Sequence, residues 1–403
     1  MGGTFSSLTT NDPAPIPTPT SAPPPSPEKN EITITGLATE WPSKLVTPDD
    51  LREFAQSLYP ADAPWLQRLL KINEKTGIDT RSVVDLWTDP RWRRKDPPKA
   101  EEIDAAWRHY GVQIAKKAAQ KALLNSEIQA NDITHLVAVT ATNFGSPGYD
   151  QIVARELGIL ATAERLLISG VGCAGGLAAL RMASNLARAA TSQGRPAKIL
   201  VLACEICSIL ISSELHAAST SPDMGIGVTL FGDGAAALVV CNSDGMTREN
   251  NEKNLPRRFS IVDSRSAITP GTHDEMEDKV TSTGFRLVLS KNVPKLTSAS
   301  LAQPFQSLIM ENGMSGASAT DFDWAIHPGG LSIIKGAQAA MSLPDELVVA
   351  SNEIYKTRGN TSSVAVLAVL ERLRTMEMTK QDVIASSFGP GLTTEMMLLK
   401  RWR

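Results

Sequence analysis

Cys173 stands in Val171-Gly172-Cys173-Ala174-Gly175-Gly176, where a strand-like run gives way to a helical one. Backbone N–H groups converge at a helix entry. Their field favours thiolate over thiol, which predicts a lowered pKa and a nucleophilic sulfur. The flanking glycines let substrate and neighbouring backbone come close. An ordinary small, buried cysteine is the competing reading of this position. A nucleophilic thiol needs a base and donors for an oxyanion. Among five histidines, His327 is set apart, because it closes the strand-like Asp323–Ile326 and opens into Pro328-Gly329-Gly330. His109 and His135 lie in or beside apolar segments, and His216 and His273 in polar connections. Layered α/β proteins place reactive groups where strands open into glycine-rich turns. Asn360, between Gly359 and Thr361-Ser362-Ser363, offers an amide donor. Its bland reading is a helix N-cap.

Other chemistry is available on the same residues. Gly170, Gly172 and Gly175 spell G-x-G-x-x-G, and Glu205 closes the following strand, which admits an NAD(P)-dependent oxidoreductase with Glu205 on the ribose. Against it, Glu205 follows Gly175 by 30 residues, where the fingerprint wants about 20. Cys204 and Cys207 form C-x-x-C with no second pair or histidines at ligand spacing, so neither zinc nor redox chemistry is supported. In a strand the two sulfurs point to opposite faces, while Glu205 and Cys207 share one. Phe231-Gly232-Asp233-Gly234 and Ser387-Phe388-Gly389-Pro390-Gly391-Leu392 read as tight turns, the first without a phosphate-loop lysine.

The elements that must hold these residues alternate in type. Helical spacing appears over 47–73 and 99–124. Then follow strand, helix, strand, helix, strand: His135–Thr142, 148–157, Arg165–Ser169, 174–192 and Lys198–Glu205. These strands are near-continuous apolar runs, as expected when helices cover both faces. A second block carries strands Gly234–Cys241, Phe259–Val262, Phe285–Leu289, Trp324–His327, Val383–Ser387 and Glu395–Leu399, with helices near 294–312, 331–341 and 361–375. An α/β fold of two related layered halves, 31–245 with the cysteine and 246–403 with the histidine and asparagine, fits this order. Residues 1–30 hold eight prolines between Pro13 and Pro27 and no apolar periodicity, which predicts a disordered tail. Its opening Met1-Gly2-Gly3-Thr4-Phe5-Ser6 fits an N-myristoylation pattern.

Composition removes several classes. Forty Lys and Arg against 43 Asp and Glu give a net charge of −3, so no basic surplus exists for a phosphate backbone. Four cysteines in 403 residues are too few for a disulfide scaffold. No apolar run reaches the roughly 18 residues of a membrane helix. A reduced, cytoplasmic globular protein is the expectation.

Together the motifs VGCAGG at Cys173, LFGDGAAA at Phe231, AIHPGG at His327, RGNTSS at Asn360 and SFGPGL near the end resemble one family. It is the type III polyketide synthases, the chalcone-synthase-like branch of the thiolase fold, and the resemblance runs from about residue 31 to 403. The FGPG turn separates this branch from the ketoacyl synthases, which share only the Cys-His-Asn set. The resemblance implies a thiolase-like fold with αβαβα layers and a homodimer. It implies acyl transfer from an acyl-CoA to Cys173 with His327 as base. It implies decarboxylation of malonyl-CoA at His327 and Asn360, and a gatekeeping Phe231. CoA phosphates would meet Arg68, Lys71 and Lys75, which share one face of a predicted helix at i, i+3 and i+7. The cavity positions are Glu205, Cys207, Leu210, Leu287, Ser362 and, from a partner subunit, Ser146. Cys207 and Leu210 replace threonines of plant chalcone synthases and Leu287 replaces a phenylalanine, which implies room for a fatty starter and alkylpyrone or resorcinol products. No metal or other cofactor is implied. A cis peptide is expected at Ser146-Pro147, in a tight turn. Alternatives are a related condensing enzyme making one extension, and a non-catalytic partner subunit.

Overall fold

The computed structural model describes residues 31–220, 225–246, 255–281, 284–377 and 380–402, so the tail expectation for 1–30 lies outside the described residues. Nine strands form one hydrogen-bonded sheet. Five of them come from residues 32–242: Glu164–Ile168, His135–Val139, Lys198–Glu205, Gly234–Asn242 and Ile32–Glu40, in spatial order from one edge. The other four are Phe259–Ile268, Thr393–Arg401, Asp382–Gly389 and Asp323–Ile326. The two sets join through a short pairing of Ile32–Ile34 with Phe259–Ile261.

Strand alternation builds the layers. Val137, Val139, Ile199, Val201, Ala236 and Leu238 face an inner core, whereas Leu136, Ala138, Leu200, Leu202, Ala237 and Val239 face an outer one. In the second set Val383, Ala385, Met397 and Leu399 point inward, and Ile384, Met396 and Leu398 outward. The inner core is filled by two helices, Gly175–Ser192 through Leu177, Leu180 and Ala183, and Ala365–Thr375 through Val366, Val369 and Leu370. Outside one sheet half lies the 27-residue helix Ala100–Ser126 with Trp107, Ala115 and Ala118 buried. Outside the other lie Ala302–Glu311 and Leu331–Ala340. The result is five layers, helix-sheet-helix-sheet-helix, with both central helices starting at the middle of the molecule.

Several elements differ from their sequence reading, each for a local reason. The helix over 47–73 is two, Pro48–Leu58 and Pro64–Asn73, because Pro60 falls between them and Pro64 opens the second. Lys75 therefore lies beyond the helix that carries Arg68 and Lys71. The helix near 294–312 is also two, Val293–Ala299 and Ala302–Glu311, since Pro304 would clash with the carbonyl four residues back in a continuous helix. The strand expected at Phe259–Val262 runs to Ile268. Its outer half, Asp263-Ser264-Arg265-Ser266, is polar but pairs along Thr393–Arg401. Helix Val349–Arg358 is absent from the sequence reading, because only Ala350, Ser351 and Tyr355 are buried in it.

Candidate active site

Cys173 lies in a single turn, Gly172–Ala174, directly ahead of the central helix Gly175–Ser192. Gly172 has φ +49°, and a Cβ there would stand 2.5 Å from Pro390 Cδ. A Cβ on Gly176 would stand 2.2 Å from the Ser363 carbonyl oxygen. No side chain fits either place. The glycine pattern is thus explained by two other motifs, the Gly389-Pro390-Gly391 turn and the Asn360–Ser363 turn, packing onto the nucleophile's own. Protein fills the space a dinucleotide pyrophosphate would need, which overturns the oxidoreductase reading. Glu205 is not free for a ribose either. Its carboxylate is buried and accepts from Thr142 Oγ1 (2.8 Å), Ala141 N (3.1 Å), Thr140 Oγ1 (3.2 Å) and the Ser363 hydroxyl.

His327 follows the strand Asp323–Ile326 and is anchored by its N–H to the Ser386 carbonyl at 2.8 Å. Its ring is buried, and Nδ1 meets no hydrogen-bonding partner among the described residues. Asn360 is tied on both backbone sides: its N–H donates to Leu230 O and its carbonyl accepts from Gly232 N, each at 2.9 Å. Its side chain is oriented by use of both ends. Oδ1 accepts from Ser362 N at 2.8 Å, while Nδ2 donates to Gly329 O at 3.2 Å and lies 3.9 Å from Cys173 Sγ. The helix that follows begins at Ala365 with Val364 as its cap, so the N-cap reading of Asn360 does not hold. Ser362 carries φ +49°, a left-handed conformation unusual for serine, and places its hydroxyl 3.6 Å from the sulfur.

The electrostatics depart from the expectation for Cys173. Burial pushes its thiol up to about 12 rather than down, and the charge of Asp278 adds to the rise. Burial alone pulls the His327 imidazole down to about 3. Neither group charges by itself near neutral pH. Transfer of the thiol proton to the His327 imidazole would bring both charges into the site together. His327→Gln removes the acceptor, so iodoacetamide alkylation of Cys173 at pH 7 should slow by about 10²-fold, the scale of a lost general base. In that variant thiolate forms only as pH climbs towards the thiol's own pKa. The rate should therefore rise about tenfold per unit from pH 7 to pH 10. Equal alkylation of both proteins at pH 7 would remove His327 from the pair.

These residues stand at a cavity of about 1290 Å³. Cys173, His327, Asn360, Phe231 and Ser362 line it, as do Cys207, Leu210, Leu287 and Lys75. Arg68 and Lys71 do not; both are exposed on Pro64–Asn73 away from the lining. Glu205 lies behind the wall rather than in it. The strand ends at Glu205, and Cys207 enters a separate turn, Cys207–Leu210, so the two do not share a strand face. Ser146 is exposed and outside this chain's cavity, and the Ser146-Pro147 bond is cis, as expected. All four cysteines are free, and no His, Cys, Asp and Glu cluster suited to a metal occurs among the described residues.

Sequence reasoning missed other lining residues. Lys279, Lys291 and Lys335 join Lys75 there, and Asp278 and Glu214 supply carboxyls. Arg81 is fully enclosed, and burial pulls it down to about 10. It donates to Val228 O at 2.6 Å and Phe231 O at 3.1 Å, which holds Phe231 in place. Asp233 of the FGDG turn accepts from Val84 N at 2.7 Å and Ser208 N at 2.8 Å, so this motif braces the cavity wall.

A five-layered α/β fold that brings a cysteine, a histidine and an asparagine to one cavity defines the thiolase-like class of condensing enzymes. The family model for the chalcone and stilbene synthase N-terminal domain matches residues 28–244, and that for the C-terminal domain residues 260–402. The chain is 38% identical to the type III polyketide synthase pspB of Penicillium soppii, over 91% of this chain and 96% of that protein. It is 32% identical to the acylalkylpyrone synthase csyB of Aspergillus oryzae, over 93% and 95%. Among solved structures, a fungal type III polyketide synthase, ORAS, superposes with a TM-score of 0.88 at 35% identity, covering 92% of this chain and all of that one. CsyB complexed with CoA-SH gives 0.87 at 32% identity, with the same coverage. The chain belongs to the chalcone and stilbene synthase family, the type III polyketide synthases. It is an acyltransferase that builds its product by decarboxylative condensation.

Proposed function

We propose that the enzyme loads a fatty acyl group from acyl-CoA onto Cys173, extends it with malonyl-CoA and releases an alkylpyrone- or resorcinol-type product. The observation that carries this reading is the meeting of Cys173, His327 and Asn360 at one cavity of about 1290 Å³, above the usual range for a small-ligand pocket. His327 takes the thiol proton as the sulfur attacks the acyl-CoA carbonyl and passes it to the CoA sulfur, so that CoA leaves as its thiol and the imidazole is neutral again. Malonyl-CoA then places its thioester oxygen against Asn360 Nδ2 and the His327 ring. Loss of carbon dioxide leaves an enolate whose oxygen these donors stabilise. Its carbon attacks the Cys173 thioester carbonyl, and the Cys173 thiolate is expelled. The lengthened chain, now on CoA, is taken back by Cys173 as in loading. Repetition lengthens the chain. Phe231, clamped through Arg81, stands between the CoA entrance and the condensation space.

Leu287, Leu210 and Cys207 favour an alkyl starter by burying its surface. The printed activity of csyB, acylalkylpyrone synthesis, points the same way. Lys75, with Lys279, Lys291 and Lys335, supplies cations for CoA phosphates, in place of the expected Arg68 and Lys71. Resident cofactors have no step in this scheme. A homodimer is part of the reading. The edge strand Glu164–Ile168 has one unpaired side, and Phe144, Leu160 and Leu166 beside it are 55%, 54% and 38% exposed. The Asn143–Gly148 loop touches that strand, since a Cβ on Gly148 would meet Leu167, and the dimer would carry Ser146 to the partner's cavity. Free thiols suit a reducing compartment, and we place the enzyme in the cytoplasm. No described helix is long and apolar enough to cross a membrane.

The test is a product profile over a ladder of acyl-CoA lengths with labelled malonyl-CoA. Long starters should give lactones or resorcinols with several extensions. Leu287→Phe should cut kcat/KM for the longest starters by roughly tenfold or more while sparing short ones. A single β-ketoacyl product, or no preference for length, would defeat this reading.

A further inference from the structure

We propose that Asp278 is the base that releases the finished chain from Cys173 as a lactone. This rests on the pyrone branch of the proposed function. Asp278 lies on the hairpin strand Met276–Thr281, directly across from Leu287 of Gly284–Leu289, and both line the cavity. Its carboxyl joins Leu287, Met276 and Pro390 in the lining, with the Glu214 carboxylate accepting from Leu287 N on the neighbouring strand. That carboxyl stands against the nucleophile's turn, for a Cβ on Gly172 would lie 3.8 Å from Asp278 Oδ2. Its charge reaches the sulfur and raises the Cys173 thiol. Neighbouring Lys279 is paired with Glu277 at 2.9 Å, and no hydrogen bond or ion pair holds Asp278 among the described residues. Asp278 is exposed on its open side, while the protein packed around the rest of it pushes the group up to about 6. A base of that strength is well matched to neutral pH.

The chemistry closes on these two residues. An enol oxygen of the polyketide chain attacks the thioester carbonyl at Cys173. Its proton passes to the Asp278 carboxylate as the C–O bond forms, and the C–S bond then breaks. Sulfur leaves as thiolate, and the proton moves from Asp278 to it, so both groups return to their starting states. Electrostatics favour this order. The carboxylate that opposes a thiolate is neutralised at the moment the thiolate appears.

The experiment compares wild type, Asp278→Asn and Asp278→Ala, given acyl-CoA and malonyl-CoA, by intact-protein mass and by released product. Circular dichroism and thermal melting report whether the variants fold, and starter loading is timed separately because removing the Asp278 charge also lowers the Cys173 thiol. Asp278→Asn should slow lactone release by about 10²-fold and accumulate an extended chain on Cys173. Added formate should restore release in Asp278→Ala, which a merely structural role would not allow. Wild-type release by Asp278→Asn, or an adduct no longer than the starter, overturns the proposal alone. Wild type that releases no lactone overturns the pyrone reading and this proposal together.

Discussion

Cys173→Ala, incubated with acyl-CoA, should carry no acyl adduct by intact-protein mass and should form product at least about 10⁴-fold more slowly, as when a nucleophile is deleted. It should still release carbon dioxide from malonyl-CoA. The donors for that step are Asn360 Nδ2 and the His327 ring, and the asparagine amide is fixed by Ser362 N and Gly329 O, not by the sulfur. Alanine keeps the Gly172–Ala174 turn, whose shape is set by Pro390 packing on Gly172 and by Gly389 lying against Val171 and Ala174. The fold should therefore survive. An adduct that persists would put the nucleophile elsewhere, and Cys207 on the same cavity would be the next candidate.

Asn360→Ala should show the opposite pattern. Acyl loading continues through Cys173 and His327, while carbon dioxide release falls by about 10²- to 10³-fold, the usual loss for one oxyanion donor. The variant also loses the bond from Ser362 N to Oδ1, a stability loss of about 1 kcal/mol. The two effects separate in the assay. A stability drop of that size with unchanged carbon dioxide release would make Asn360 a brace for the Ser362 turn and nothing more.

What the sequence disclosed and withheld follows from where each residue sits. Cys173, His327 and Asn360 stand beside glycines at element ends, and such punctuation is visible without a structure. The strands carrying the first two, Glu164–Ile168 and Asp323–Ile326, were legible as short apolar runs. Leu287, Leu210, Cys207 and Ser362 were found through family resemblance, and all four line the cavity. Glu205 was placed on the cavity through the same family resemblance. Instead the preceding strand stops at Val139, and burial pushes the Glu205 carboxyl up to about 7, while hydrogen bonds from Ser363, Thr142, Ala141 and Thr140 satisfy its oxygens and hold the rise in check. Arg68 and Lys71 were also named through family resemblance; both are exposed on Pro64–Asn73, outside the cavity lining that holds Lys75. Asp278 was invisible for another reason. His273-Asp274-Glu275-Met276-Glu277-Asp278-Lys279 reads as a solvated charged stretch, and only the alternation of Met276 with Asp278 hints that one face turns inward.

The most direct measurement is a time course on wild type, loaded with a fatty acyl-CoA, mixed with malonyl-CoA, quenched, digested and mapped by mass. Expected is one modified peptide, the one holding Cys173, bearing first the starter and then the starter lengthened in two-carbon steps, with carbon dioxide released in parallel. An acyl group on any other residue, or a Cys173 adduct that never lengthens while carbon dioxide is released, would contradict condensation at the Cys173–His327–Asn360 site.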